Sequence, residues 1–387
     1  MAIRPRMGRA LETTCSNRAE NSRLDTRRTT FVLLESRLTA AHHTLAKKPL
    51  TSREYEVVPR FIAFLEKNIV LATLALLSAV TVSTKAQLDA ALQRARGGDV
   101  IQLARGQYGD LVLNGRQFDR VVTLQSANPL TPASFSTVKL LKVNNVALKN
   151  LEITRARGKD PYYTKMVQVS DSTNVSLTGG FVHGTANGSW VDDMSGMYVR
   201  NSKNIRINGV SFHDLAIALI VEDSSNFRIE NNFFSYISVD SMEIPGTRDG
   251  VITENSMFLF NPAPTAHPDG IQCWTAGKTT GCKNITISYN KFFGAPGREF
   301  QGVFFGDEAN VGGYDNIQIV GNVMSSLMWH AISVAGVDKA LTIRNNTITA
   351  GPTYRSWIRT SGPATLSGNV APTYSIAGKS GVPAGNR

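Results

Sequence analysis

Asn204-Ile-Arg-Ile-Asn208, Asn226-Phe-Arg-Ile-Glu-Asn231 and Asp249-Gly-Val-Ile-Thr-Glu-Asn255 are three copies of one pattern, and their spacing decides the fold. Each places a small polar residue ahead of a short run with alternating apolar positions and closes on Asn. Further copies lie on both sides: Asn145-Val-Ala-Leu-Lys-Asn150, Asn174-Val-Ser-Leu, Asn284-Ile-Thr-Ile-Ser-Tyr-Asn290, Asn316-Ile-Gln-Ile-Val-Gly-Asn322 and Ala340-Leu-Thr-Ile-Arg-Asn345. From first anchor to last, the steps are 29, 30, 22, 23, 35, 32 and 24 residues. A short base period with insertions at particular turns is the mark of a solenoid. A strand this short cannot bury a face alone, but parallel copies stacked on one another can. Asn at the corners tolerates left-handed backbone and can ladder with its counterpart one coil away. A leucine-rich repeat shares the period, but its Leu-x-x-Leu-x-Leu skeleton is absent. The pattern predicts an all-β parallel β-helix of about nine or ten coils.

The rest of the chain bounds this reading. It has 387 residues, 42% hydrophobic and 18% charged, with only three cysteines. That excludes a wholly disordered chain, a disulfide-stapled miniprotein and a polytopic membrane protein. The net charge of +11 is uneven: residues 1–83 hold 13 Lys and Arg against 7 Asp and Glu, leaving 28 against 23 beyond them. The remaining excess is mild and lacks a basic run interleaved with aromatics, so nucleic acid is not the expected partner.

Residues 1–56 are rich in Arg, Ser and Thr, carry no sustained period, and are read as a leader outside the fold. In residues 57–85, Arg60 and Lys67 flank a short apolar stretch, Ile69–Val82 then runs 14 residues without a charge, and the small residues Ser83, Thr84 and Ala86 follow. Basic flank, apolar core and small-residue exit describe an export signal, and the run is short for a transmembrane helix. A signal at this depth implies translation starting near Val57 or Val58. The expectation is a secreted or periplasmic monomer, with no membrane span after signal removal. Cys15 falls in the leader. Cys273 and Cys282, nine apart around a loop of Gly, Thr and Lys, could close that loop as a disulfide in an oxidising compartment.

A solenoid needs its open end covered. In residues 86–96, Leu88, Ala91, Leu92 and Ala95 share one helical face, Gly97-Gly98 stops the helix, and Asp99-Val-Ile-Gln-Leu starts a strand. Ala-Ala-Leu, then Ala-Arg-Gly-Gly-Asp-Val-Ile-Gln-Leu, then Gly106-Gln-Tyr108 resembles the opening of right-handed β-helix proteins of the pectate-lyase-like superfamily, chondroitinase B and related alginate lyases among them. The resemblance implies a right-handed β-helix catalytic domain over residues 86–387 with an N-terminal capping helix. It is specific for fold; lyases, hydrolases, C5-epimerases and phage tailspikes share it. The Arg-His-Gly context of those lyases, the Asp-Asp and Gly-His-Gly motifs of polygalacturonases, and the Asp-Pro-His of mannuronan epimerases are absent.

Equivalent positions on successive coils lie about 4.8 Å apart and form columns. The strands opening each coil align as Lys165-Met-Val-Gln168, Ser195-Gly-Met-Tyr198, Ala216-Ile-Ala-Leu219, Asp240-Ser-Met-Glu243, Asp269-Gly-Ile-Gln272, Gln301-Gly-Val-Phe304 and His330-Ala-Ile-Ser333. The polar residues gather in the middle coils, where Asp240 and Asp269 become neighbours with Glu243 and Gln272 beside them. Ala266-His-Pro-Asp-Gly-Ile-Gln-Cys-Trp274 adds His267 and Trp274, the latter as a sugar platform, and Arg298 and Glu299 precede Gln301.

Two chemistries fit these residues. In β-elimination on a uronic acid, the carboxylate is neutralised and a base removes the C5 proton. Asp240, Glu243 and Asp269 offer oxygen ligands suited to Ca²⁺, with Arg298, His267 or His330 as base. In inverting hydrolysis, one carboxylic acid protonates the leaving oxygen and another activates water, which would use Asp240 and Asp269. Glu243, Gln272, Trp274, Gln301 and, more distantly, Lys165 are the expected substrate contacts. Bland roles compete: Asp240 and Asp269 as turn acids, His330 as a wall histidine, Arg298 as a solvated loop residue. His183, His213, Asp192 and Asp193 read as structural, and the Phe233-Phe234 and Phe292-Phe293 pairs as core. The clustered titratable groups favour a polysaccharide lyase acting on an acidic polysaccharide in a lateral groove. A glycoside hydrolase, a C5-epimerase or a non-catalytic adhesion solenoid are the alternatives.

Overall fold

A computed structural model describes residues 81–387. The leader 1–56, Cys15 and all but the last five residues of the 57–85 segment lie outside the described residues. The described chain is almost all strand, joined in one sheet system of 29 strands. All pairings are parallel except the last, Thr373–Ile376 with Lys379–Ser380.

The coil lengths follow the sequence pattern. Asn144 pairs with Thr173, Thr173 with Lys203, Lys203 with Ser225, Ser225 with Arg248, Arg248 with Lys283, and Lys283 with Asp315. These offsets reproduce the spacing of the repeats. The opening position of successive coils falls at Asp110, Thr137, Lys165, Ser195, Ile217, Asp240, Asp269, Gln301, His330, Trp357 and Thr373, with Ile217 and Asp240 inside the longer strands Ser211–Glu222 and Phe233–Glu243. That is one or two more than expected, because the first and last coils carry weak copies of the pattern.

Two asparagine ladders hold the corners. In the outer one Asn174, Asn204, Asn226, Asn284 and Asn316 adopt left-handed backbone. Their amides reach the preceding coil, as in Asn204 Nδ2 to Asn174 Oδ1 at 2.7 Å and Asn284 Nδ2 to Asp249 Oδ1 at 2.8 Å. The inner ladder is fully buried: Asn232, Asn255, Asn290, Asn322, Asn346 and Asn369. Asn232 Oδ1 accepts the N–H of Val210, and from Asn255 on each Oδ1 accepts both the backbone N–H and the Nδ2 of the rung before it, as Asn290 Oδ1 does from Asn255 at 3.0 and 2.9 Å. Each Nδ2 also reaches a strand carbonyl, Asn290 to Ile252 at 2.9 Å. The corner amides are thereby satisfied without water.

At one end of the stack, Thr84 caps the helix Lys85–Arg94 by accepting the N–H of Gln87. The helix lays Leu88 and Leu92 over the first coil, with Ala91 and Ala95 packed beside them. Burying a leucine contributes roughly 1.5–3 kcal/mol. Thr81–Val82 already pairs with Gln102–Leu103, so the fold takes in residues assigned above to the export segment. Phe234 and Phe292 are buried while Phe233 and Phe293 are half-buried, so one ring of each pair serves the core. Cys273 and Cys282 are bonded as a disulfide. Among the described residues, no helix is long and apolar enough to cross a membrane.

Candidate active site

The strands that open the coils carry the candidate residues in register. Met242 pairs with Ile271 and Glu243 with Gln272; Asp269 pairs with Gln301, and Val303 with Ile332. Asp240, Asp269, Gln301 and His330 therefore form one column, as the alignment predicts. One coil departs. Ile217, not Ala216, pairs with Asp240, because the register shifts between Leu215 and Ile217. That irregularity moves the whole segment by one residue, so the fourth position there is Ile220 rather than Leu219.

Depth separates the column into two parts. Asp269 is 0% exposed, Asp240 7% and Glu243 9%. Asp240 Oδ1 accepts the N–H of Asp269 at 2.7 Å, and the Asp240 and Glu243 side chains bond each other. Neither carboxylate oxygen of Asp269 has a partner. Burial raises the pKa of Asp240 and Asp269 well above the usual carboxylate range, and mutual repulsion with their neighbours adds to it. Glu243 is raised by burial as well. Asp240 and Asp269 thus lie beneath the surface, where burial favours their protonated forms. Among the described residues, no three His, Cys, Asp or Glu are arranged to hold a metal ion. Asp240 is engaged by Glu243 and by the Asp269 N–H, whereas the Asp269 carboxylate is the unengaged one of the three.

Glu243 leads to a second group. Its Oε2 accepts from Trp274 Nε1 at 3.4 Å. Lys278, in the loop closed by the disulfide, pairs with Glu222 and lies 2.9 Å from Asp223, with its ammonium 5.7 Å from the centre of the Trp274 ring. Tyr198 donates to the same Glu222, and Lys165 lies 5.7 Å from the Tyr198 ring centre. Burial lowers the Lys165 pKa, partly offset by Glu243 and Glu222. Trp274 is thus half-buried and pinned under a strap, rather than free as a platform.

The open part of the column is its other end. Gln301, Met328, Trp329, His330 and Trp357 line a cavity of about 330 Å³. The Phe304 ring lies 5.2 Å from that of His330, Trp357 lies 5.4 Å from it, and Trp329 lies 5.4 Å from Trp357. His330 Nδ1 bonds Gln301 Oε1. An amide oxygen only accepts, so Nδ1 carries the proton and Nε2 keeps its lone pair. Burial lowers the His330 pKa to about 4, helped by the charges of Arg359 and His267. His267 is exposed on the loop before Pro268, and Arg298 is exposed in the turn whose Arg298 N–H bonds Ala295 O. Gln272 is half-buried between the two parts. The structure brings His267, Gln301 and His330 together. It adds Trp329, Trp357 and Arg359, which the sequence reading missed. Extending the column by one coil finds Trp357, the partner of His330.

No curated protein sequence matches this chain. Among solved structures it is similar to AlyGC, an alginate lyase of the PL6 family, at 13% identity and a TM-score of 0.43 over 80% of this chain and 53% of that one. The chain thus spans about half the length of AlyGC. It is similar to PfbA, a surface adhesin of Streptococcus pneumoniae, at 12% identity and a TM-score of 0.48 over 76% and 86% of the two chains. It is also similar to a rhamnogalacturonan lyase, at 12% and 0.49 over 75% and 87%. Residues 195–371 match the family model described as right handed beta helix region, and with the parallel ladders above this makes the described chain a right-handed parallel β-helix.

Proposed function

We propose that the protein is an exported enzyme that cleaves an acidic, uronate-containing polysaccharide by β-elimination, with His330 as the base. The observation that carries this reading is a neutral histidine in an open, aromatic-lined cavity, its tautomer fixed by Gln301. Trp329 and Trp357 offer apolar faces against which a sugar ring can stack. The exposed guanidinium of Arg359 and the imidazole of His267, both acting on His330, stand where they can offset a uronate carboxylate. The C5 proton passes to His330 Nε2 as the C5–H electrons form the C4=C5 double bond. The C4–O4 bond breaks, and the departing oxygen takes its proton from solvent. Burial favours the protonated forms of Asp240, Glu243 and Asp269, which weakens their repulsion of a polyanion.

The raised Glu243 favours a second reading, since inverting hydrolysis needs a protonated carboxyl, and Glu243 retains 9% exposure. One assay separates the two. The full chain is incubated with polyuronates and neutral glycans while the ultraviolet absorbance of unsaturated uronides and the release of reducing ends are followed. The lyase reading expects both signals to rise on polyuronates, and His330→Gln to lower the rate at least about 100-fold. Reducing ends without absorbance would make the protein a hydrolase, and an unimpaired His330→Gln would remove His330 from the chemistry.

A further inference from the structure

A second cavity, of about 430 Å³, lies away from His330 on the N-terminal coils. It is lined in part by Asn114, Lys142, Gln168, Tyr198, Arg200 and Asn201. Asn114 pairs with Leu141, Leu141 with Ser170, and Ser170 with Arg200, so the site is built across consecutive rungs of the sheet that carries His330. Lys142 and Arg200 are exposed, and neither side chain is bound into an ion pair or a hydrogen bond among the described residues. Gln168 spends its Nε2 on Ser170 Oγ at 3.1 Å, which leaves its amide oxygen as an acceptor. The wall also carries one acid, Asp171, taken up by the amide of Asn201 at 3.4 Å.

Two exposed cations outside salt-bridge distance of any described acid, the Arg200 charge acting only at longer range on Glu222, suit a ligand with a carboxylate, and the amide groups beside them suit its hydroxyls. This contrasts with the aromatic, weakly polar cavity at His330. Five rungs separate Tyr198 from His330 along the column, which is about 24 Å at about 4.8 Å per rung. Several sugar units are needed to span that distance. We infer that this cavity is a distal subsite that grips a uronate unit of the same polysaccharide chain through Lys142 and Arg200, so that the protein holds a long acidic chain across its coils. The inference rests on the proposed acidic polysaccharide substrate and deepens it.

Binding is measured directly, by calorimetry, on the full chain carrying His330→Gln so that substrate is not consumed. Alginate and polygalacturonate are the probes, with dextran as neutral control. The doubly substituted Lys142→Ala, Arg200→Ala protein should bind the polyuronates at least about tenfold more weakly, with a shallower dependence of affinity on salt. Lys142→Arg with Arg200→Lys should keep most of the affinity, because charge is retained. Equal polyuronate affinity and salt slope for the alanine protein and its parent would overturn the subsite. So would dextran binding that equals polyuronate binding. The two readings fail separately. Polyuronate binding that depends on Lys142 and Arg200 without unsaturated products would leave the subsite standing and defeat the lyase. Unsaturated products with binding indifferent to both cations would do the reverse.

Discussion

His330 keeps its lone pair to about pH 4, where an unperturbed histidine would lose it near 6.5. A base works only above its own pKa, so kcat/KM should hold level through pH 5 and fall on an acid limb near pH 4. Burial is the first cause of the shift and Arg359 the second. Arg359→Gln should therefore move that limb to higher pH, which a pH–rate profile reads directly. Asp193 makes a different case. It is 3% exposed, its Oδ2 has no partner, and burial followed by the nearby Asp214 charge raises its pKa from 3.8 to about 7, against a hydrogen bond from Ser238. The folded protein holds this proton more tightly than the unfolded chain does. Stability from this group is therefore full below about pH 4 and is lost as pH rises toward 7. At about 1.36 kcal/mol per unit, the loss is bounded at roughly 4 kcal/mol. Asp193→Asn should match the parent in thermal melts at pH 4 and exceed it by several degrees at pH 8. Sequence alone gives neither effect, because column position was legible and depth was not. Asp240 and Asp269 stood in the predicted column, yet nothing in their spacing says that they lie under the surface.

At the scale of elements, the inner asparagine ladder carries the corners. Asn290→Ala would remove the acceptor of the Asn255 N–H and the donor to Ile252 O, both inside the stack. Leaving a buried polar group unsatisfied costs about 1–3 kcal/mol each, so the loss should be about 2–6 kcal/mol in urea denaturation. Asn226→Ala, in the outer and partly solvated ladder, should cost less. The ladders were half legible. Three copies ended on buried rungs, Asn255, Asn290 and Asn322, whereas those ending on Asn231 and Asn345, both left-handed in backbone, stopped one residue short of the rungs Asn232 and Asn346. Register was legible wherever alternation was clean and slipped at Ala216, where Leu215-Ala-Ile-Ala-Leu219 is apolar throughout and no polar residue marks the shift. The strap was not legible. Lys278 reaches Glu222 and Asp223 across more than fifty residues, and an inserted loop carries no period to announce its partner.

At the scale of the molecule, coil contacts run only to the coil before and the coil after, so stability is a sum of neighbour terms without one shared centre. The rungs also differ in length, from the 22 residues between Lys203 and Ser225 to the 35 between Arg248 and Lys283. Mechanical load is where the two facts meet. Tension applied along the stacking axis pulls the inter-coil hydrogen bonds in series, so coils should peel away singly instead of the whole body yielding at once. Each peeled coil lengthens the tether by its own contour, about 75 to 125 Å at roughly 3.5 Å per residue. A force–extension trace of a single molecule held at its two ends should be a sawtooth of unequal teeth whose widths spell out the coil lengths in order. The Arg248–Lys283 coil, shortened by its disulfide, should widen when a reductant is added.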